Sequence, residues 1–526
     1  MKKLQPWQWP LAVFGLALLP RLIGLGARPF WLDEVFTLQR ASLAPVALVQ
    51  NSFLNHHMPS FFLMLSPLVG LGNPQFWLRF PSAVFGALSV MLVFMIAQRI
   101  AGRMAGVVAA LVIGLSPTAL AFSQEARSYT MEMCLILVAL YGVTRLALDV
   151  PAAAQPMRTG PDRGAWAAFI LGSVAALDVL GDGLPWLITA NVIGVVLFFQ
   201  SGRQGQLLRN FLLADAIIGL FSAPFYALMA LYQDKGFVDS VMWIPPLNLS
   251  RLWYDFGSVY FMHIADSVTF HFMNVPTPGV LIWAIDAALA LAVGTAAWAL
   301  RRRPALLAVL GISFVFLPLM FTVISIWRPI LLPRYILWSA APFAILAGIG
   351  ASALLEYCAP RLRVALVSGA ALLLLTNMAP YYHAETKPRW DIAAQMLAQQ
   401  VQPGDVVYLY DLGALPILKV YLPPGTQTVV LNDSNGDLNH AIQAISQGKR
   451  VWAVFGHAGQ SGEEKELAKF NANTKVLGTP EKVLVAGNRI FISLYDPANN
   501  GHTAVVICTP VPPVPVGHGP GQGICG

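Results

Sequence analysis

Charge is what this chain lacks most. Lys, Arg, Asp and Glu make up only 11% of its 526 residues, while 56% are hydrophobic and the mean hydropathy is +0.62. A chain so poor in charge and so rich in long apolar runs belongs with the multi-spanning membrane proteins. Cysteine is also scarce: there are four, without metal-finger spacing. Cys134 and Cys358 fall in apolar runs and read as core residues. Cys508 and Cys525 lie near the C-terminus and could pair in an oxidising compartment, although their spacing alone does not establish a disulfide. No Walker loop and no GxGxxG after a strand is present, so no stretch reads as a nucleotide-binding module. The net charge of +7 is dispersed over short loops that flank the apolar runs, which argues against a nucleic-acid partner.

What is there is a series of uncharged runs at 4–20, 80–98, 104–122, 183–202, 216–233, 304–327, 335–355 and 364–384. Each is long enough to cross about 30 Å of hydrocarbon at about 1.5 Å per residue. Runs at 128–147, 165–182 and 279–300 carry a charge at an end or inside, the last containing Asp286, and bring the expected count to about eleven helices. Lys2 and Lys3 precede the first span. The loops on that side carry Arg99, Arg103, Arg145, Arg158, Arg163, Arg203, Arg209, "RRRP" at 301–304 and "RLR" at 361–363. The opposite loops hold Asp33, Glu34, Glu125, Asp178, Asp182, Asp234, Asp239, Asp255 and Asp266. This alternation predicts an N-terminus inside and a C-terminus outside. "MKK" followed by an apolar stretch also fits a signal peptide loosely, but cleavage there would leave an even number of spans, which the alternation does not need.

Three longer stretches fall on the outer side. In 27–78, "EVFTLQRASLAPVALVQ" reads as one interfacial helix, and "PSFFLMLSPLVGLG" is too short to span. In 233–278, "VMWIPPLNLSRLWYDFGSVYF" is aromatic enough for the headgroup region. From residue 384 the composition changes. "QPGDVVYLYD", "GTQTVVLND", "GKRVWAVFGH" and "NRIFISLYD" read as strands, with helical patterns "DLNHAIQAISQ" and "EEKELAKFNAN" between them. The expected organisation is a helical membrane module over 1–383, a small external α/β domain over 384–497, and a Pro/Gly-rich tail over 498–526 without a fixed fold.

Asp33 and Glu34, adjacent in "RPFWLDEVFTLQRAS", admit two compatible readings. Asp33 could cap a helix beginning near Glu34, with Glu34 favoured in its first turn. Alternatively, one carboxylate is a general base tuned by partial burial at the interface. His56 and His57 in "NHHMPSFF" read first as interfacial histidines bonded to backbone. With Asp33 or Glu34 they could position a substrate or hold a divalent cation, although no HxxxH or HxxE spacing favours a metal. "SQEARSYTM" places Glu125, Arg127, Tyr129 and Glu132 at the outer start of a span, either as a salt-bridged helix end or as a phosphate-holding fork. Arg328 and Arg334 in "RPILLPRYILWSAAP", and Arg21 in "LLPRLIGLG", share that depth, so the outer face has more arginine than anchoring alone explains.

"RLIGLGARPFWLDEVFTLQRA", "HHMPSFF", "LRFPSAVFGALSV", "SQEARSYTM" and "LPRYILWSAAP" occur in the order and spacing of the GT-C glycosyltransferases. They are most similar to family 39, the ArnT-like and protein-mannosyltransferase-like enzymes. The resemblance covers about residues 10–390 and is strongest over 20–130; the five motifs in order are fairly specific, single ones are not. It implies a GT-C helical membrane fold and transfer of a sugar from a polyprenyl-phosphate donor to a lipid, glycan or protein hydroxyl outside the bacterial cytoplasmic membrane, among membrane lipids. It implies Asp33 as base and Glu34 as its support. Arg127 and Arg334, with Arg21 and Tyr129, would hold the donor phosphate. His57, His56, Glu125 and Tyr335 would position substrate. No cofactor is certain, and a divalent cation stays open. The chain departs from the family at Met58, which replaces a proline of an "HPP"-like turn, and at "ALDVLGDG" (176–183), where many relatives carry Thr-His. A secondary transporter or lipid-linked-sugar flippase is the rival, but it wants ionisable groups near the midplane, and only Asp286 offers one.

Overall fold

The computed structural model describes residues 5, 7–150, 162–180, 183–202, 205–232, 244, 246–263, 279–383, 386–411, 413–422, 429–432, 438–456, 463–487, 490–499 and 505–508. The chain divides into two compact units. One comprises Met1–Gly26, Arg40–Ile264 and Thr277–Tyr382; the other comprises Ala27–Gln39, Ala265–Pro276 and His383–Gly526.

The first fifteen helices run α1 (Gln8–Leu22), α2 (Leu32–Ala41), α3 (Pro45–Leu54), α4 (Ser60–Leu65), α5 (Pro74–Gly114), α6 (Pro117–Ser123), α7 (Tyr129–Asp149), α8 (Arg163–Leu177), α9 (Gly183–Gln200), α10 (Gly205–Tyr232), α11 (Leu249–Tyr260), α12 (Gly279–Ala299), α13 (Pro304–Ser325), α14 (Ala340–Leu355) and α15 (Pro360–His383). Eight of these are long and apolar enough to cross a membrane: α5, α7, α9, α10, α12, α13, α14 with the 3-10 turn before it, and α15. Helix α5 has 41 residues, about twice what one crossing needs, and breaks at Ala101 and Gly102, where Gly102 takes φ 84°. It is two helices. Counting its two halves separately and adding the shorter apolar helix α8, of 15 residues, the described residues hold ten such segments against the eleven or so expected; α1, also of 15 residues, occupies the remaining expected run. The best window of α14 is 89% buried and that of α15 only 17%, so α14 is a core helix and α15 offers its leucines to lipid.

Two local expectations change. The stretch 34–50 is not one helix: α2 ends at Ala41, and Pro45, which cannot donate to the preceding turn, opens α3. Cys134 is buried as expected, but Cys358 sits partly exposed in the turn after α14.

In the second unit follow α16 (Trp390–Gln400), β1 (Val406–Leu409), α17 (Ala414–Tyr421), β2 (Val429–Asn432), α18 (Asn439–Ser446), β3 (Val451–Phe455), α19 (Glu463–Thr474), β4 (Lys482–Ala486), β5 (Ile490–Tyr495) and β6 (Val505–Cys508). They form one sheet of order β2-β1-β3-β5-β4-β6. The βα alternation yields parallel β2, β1 and β3; β5 then pairs antiparallel with both β3 and β4. Val406, Tyr408, Val451, Phe455, Phe470 and Phe491 form its core. All four expected strands are present; β4 and β6 are additional. Part of the tail therefore has structure, since the apolar run "VVIC" completes the open edge of β4 in parallel register. Cys525, and with it the Cys508–Cys525 pairing, lies outside the described residues, as does Asp182.

Candidate active site

In the first unit the site grows from two irregular turns. Helix α3 ends in a full Schellman motif: the His56 N–H donates to Phe53 O at 3.1 Å and the His57 N–H to Ser52 O at 2.9 Å. His56 therefore sits at the position usually given to glycine and takes φ 59°, a strain of order 1 kcal/mol. The motif turns the chain sharply and presents His57 beside Phe62, ring centroids 5.8 Å apart.

The second turn, 124–128, joins α6 to α7 and is buried throughout. Its backbone is pinned from several sides. Ser82 Oγ donates to Arg127 O at 3.0 Å, and Thr130 Oγ1 donates to Ser82 O at 2.9 Å. Gln124 Nε2 donates to Arg21 O and Ile23 O, and its Oε1 accepts from the Tyr381 hydroxyl at 2.9 Å. The Arg127 N–H donates to the carbonyl of buried Glu125 at 2.8 Å. Arg127 itself is buried, its guanidinium 5.8 Å from the Tyr129 ring. His57, Met58, Phe61, Phe62, Arg127 and Ser128 line a narrow cleft, closed by Val179 and Leu180. These last two come from the stretch in which the family resemblance fails.

Around His57 the charge is positive. Burial, and then Arg127, Arg40, His56 and Arg334, hold its imidazole well below the ordinary histidine value, so it is neutral at pH 7. Arg334 is carried by the 3-10 turn Pro333–Ser339. Its Nη2 lies 3.4 Å from the Tyr335 hydroxyl and its Cζ 5.1 Å from that ring. The segment leading into this turn is held by α11, where Arg251 Nη2 donates to Leu331 O at 3.0 Å and Nε pairs with Asp255 at 3.3 Å. A divalent cation at His57 would meet the same repulsion that keeps its proton off. Among the described residues no group of three or more His, Cys, Asp or Glu is placed to hold a metal ion.

Arg40 is the residue that the sequence reading misses. It is only 6% exposed, its Nε donates to Asn51 Oδ1 at 2.9 Å, and its Cζ lies 4.5 Å over the Phe62 ring, which also lines the cleft. Its Nη1 has no hydrogen-bond partner among the described residues. Burial, and then the charge of Arg127, pull its pKa down to about 10. A buried N–H left unpaired costs about 1–3 kcal/mol, so a cation kept in this state asks for an anion. The available signal was the spacing Arg40–Asn51 across a proline-started helix, which is too common to read.

The Arg21 side chain is taken up by helix packing. It is fully buried, with Nε on Ser123 Oγ at 3.0 Å and Nη1 on Ala17 O at 2.8 Å. A Cβ on Gly86 would fall 2.2 Å from Ser123 Oγ, so α5 can approach this bond only with glycine there. Asp286 is likewise accounted for, 2.7 Å from His263 Nε2.

Asp33 and Glu34 belong to the second unit. The capping expectation shifts by two residues: α2 starts at Leu32, and both acids lie in its first turn, where the helix dipole favours them. Glu34 is fully buried and its Oε2 accepts from the Trp31 N–H at 3.4 Å, the glutamate arm of a capping box. Asp33 stays partly exposed.

A family model described as dolichyl-phosphate-mannose-protein mannosyltransferase matches residues 56–151, which begin at the two histidines of the first turn and contain the second. An undecaprenyl phosphate-alpha-4-amino-4-deoxy-L-arabinose arabinosyl transferase 2 of Pseudomonas fluorescens (strain Pf0-1) is 26% identical over 361 residues, 65% of this chain. The match spans 59% of that relative's length. Among solved structures, apo ArnT from Cupriavidus metallidurans superposes with TM-score 0.55 over 94% of this chain and 99% of its own, at 16% identity. This chain shares the fold of that ArnT structure. The same ArnT bound to undecaprenyl phosphate matches with the same score over 95% of this chain and 100% of its own. The GT-C fold, a multi-pass helical membrane body carrying a small C-terminal sheet domain, is therefore as the motifs implied.

Proposed function

We propose that the chain is an inverting membrane glycosyltransferase that moves a sugar from a polyprenyl-phosphate donor to an acceptor hydroxyl on the outer face of a bacterial cytoplasmic membrane. The carrying observation is the gathering of Arg127, Arg40 and Arg334 around a neutral His57. Three buried guanidiniums beside a cleft suit a phosphate, which each can grip with a planar fork. The names of the relatives support the same donor class. Arg127 and Arg334, with Arg40, hold the donor phosphate; Tyr129 and Tyr335 flank the two forks, and His56, His57 and Glu125 shape the wall on which the sugar rests.

In the reaction the acceptor oxygen attacks the anomeric carbon, the bond from that carbon to the phosphate oxygen breaks, and the hydroxyl proton passes to Asp33. Attack opposite the leaving group inverts the configuration. Polyprenyl phosphate departs with the negative charge that the arginines stabilise as it develops. The donor arrives already activated, so no nucleotide site is needed. Glu34, buried in the same turn, fixes the peptide that carries Asp33. Val179 and Leu180, in the stretch 176–183 where the chain departs from many relatives, make this side of the cleft apolar and set a preference for a less polar part of the sugar.

Membranes containing the chain, incubated with a panel of polyprenyl-phosphate sugars, should yield a glycosylated product by mass spectrometry, and Asp33→Asn membranes should not. Movement of solute across vesicles without donor consumption would instead favour a transporter.

A further inference from the structure

Within the second unit, residues 27–39 are fastened to the C-terminal domain at three successive positions. The N–H of Phe30, a fully buried residue, donates to the hydroxyl of Tyr421 at the end of α17. Lys387, just before α16 and 9% exposed, sets its Nζ 4.8 Å from the centre of the Trp31 ring. Leu32 lies against Gly413, the N-cap residue of α17; a Cβ there would come 2.6 Å from Leu32 Cδ2. Backbone, ring and aliphatic side chain leave the chain in different directions, so holding all three fixes both the position and the rotation of the segment. The next residue is Asp33. Its carbonyl accepts from Thr37 Oγ1 at 3.0 Å and the turn is closed by Glu34 on the Trp31 N–H, so Asp33 moves as a rigid part of what Tyr421, Lys387 and Gly413 hold.

We infer that the C-terminal α/β domain is the positioning device for the general base, with Tyr421 and Lys387 as positioning residues; this rests on the reading of Asp33 as that base. A small sheet domain appended to a membrane enzyme then has a defined task. It sets where the carboxylate stands when the acceptor arrives, and a displacement of about 1 Å at such a group costs a rate of order a hundredfold. Phosphate binding belongs to residues of the other unit and is independent of the clamp.

The test uses the full chain in lipid nanodiscs, with amide hydrogen exchange over residues 28–34, undecaprenyl phosphate as the binding probe, and turnover on the polyprenyl-phosphate sugar panel. Tyr421→Phe and Lys387→Met should each speed exchange in that segment and lower kcat by about tenfold, the scale of one lost interaction. Affinity for undecaprenyl phosphate should stay within about twofold, since the contacts made in the ground state are untouched. Lys387→Arg, which restores a cation over Trp31, should recover both exchange and kcat. Unchanged exchange in both variants overturns the clamp. Faster exchange with wild-type kcat overturns the positioning role while leaving Asp33 as base. A kcat loss that only follows the folded fraction, and that Lys387→Arg does not recover, overturns it too. Wild-type turnover by Asp33→Asn overturns the base reading and the catalytic half of this inference, whatever the exchange shows.

Discussion

Arg40→Met separates stability from function at one side chain. The arginine makes a charged hydrogen bond to Asn51 and stacks over Phe62, together about 2–4 kcal/mol in favour of the fold. Against this stand a buried charge, repulsion from Arg127 and an Nη1 without a partner among the described residues, with a combined cost of similar size. Methionine keeps the aliphatic stem and removes both sides of the ledger, so the unfolding free energy should change by no more than about 1 kcal/mol in either direction. The donor loses one charge-assisted contact, about 1.5–3 kcal/mol, and the Kd for undecaprenyl phosphate should rise about 10- to 150-fold. Calorimetry and binding on the same nanodisc preparation measure both quantities. An unchanged Kd, or a weakening matched by an equal loss of stability, would refute the reasoning, because Arg40 would then be a packing residue.

Asp33→Asn should keep expression and membrane insertion but lower sugar transfer by about 10²–10⁴, the usual contribution of a general base, as read by product formation. For His57 the folded pKa is depressed, so the unfolded chain binds its proton first as pH falls. Stability should therefore be full above about pH 6.5 and decline below it by up to about 1.4 kcal/mol per pH unit, and His57→Gln should flatten that decline in thermal scans. In the C-terminal domain, burial opposes the charge of Asp405, but bonds from Arg450, the Gln402 N–H and Trp452 outweigh it and hold its pKa below the ordinary value. Asp405→Asn should cost that domain about 1.5–3 kcal/mol at neutral pH, and less as pH falls through the native pKa of Asp405, measurable by denaturant unfolding.

Much of this architecture was legible because membrane helices announce themselves by length and by rare charges. Apolar runs such as 335–355 and the βα alternation after residue 384 translate almost directly into α14 and the parallel strands. What failed to show was tertiary. The strand β6 is apolar residues finding an open edge, which a Pro/Gly-rich neighbourhood disguises. Arg21 and Arg127 look alike in sequence, each at the end of an apolar run. Packing decides between them, since Ser123 and Ala17 take the guanidinium of one while the other lines the cleft. Arg40 gave no sign because its partners, Asn51 and Phe62, converge only after the Schellman turn at His56 reverses the chain.

The most direct measurement compares undecaprenyl phosphate with undecaprenol, the same lipid lacking its phosphate, for binding to the purified chain. If the arginines around His57 form a phosphate grip, the phosphate should bind at least about a hundredfold more tightly, as two charged contacts demand. Removing Arg127 should erase most of that margin. Equal affinity for the two lipids would contradict the account.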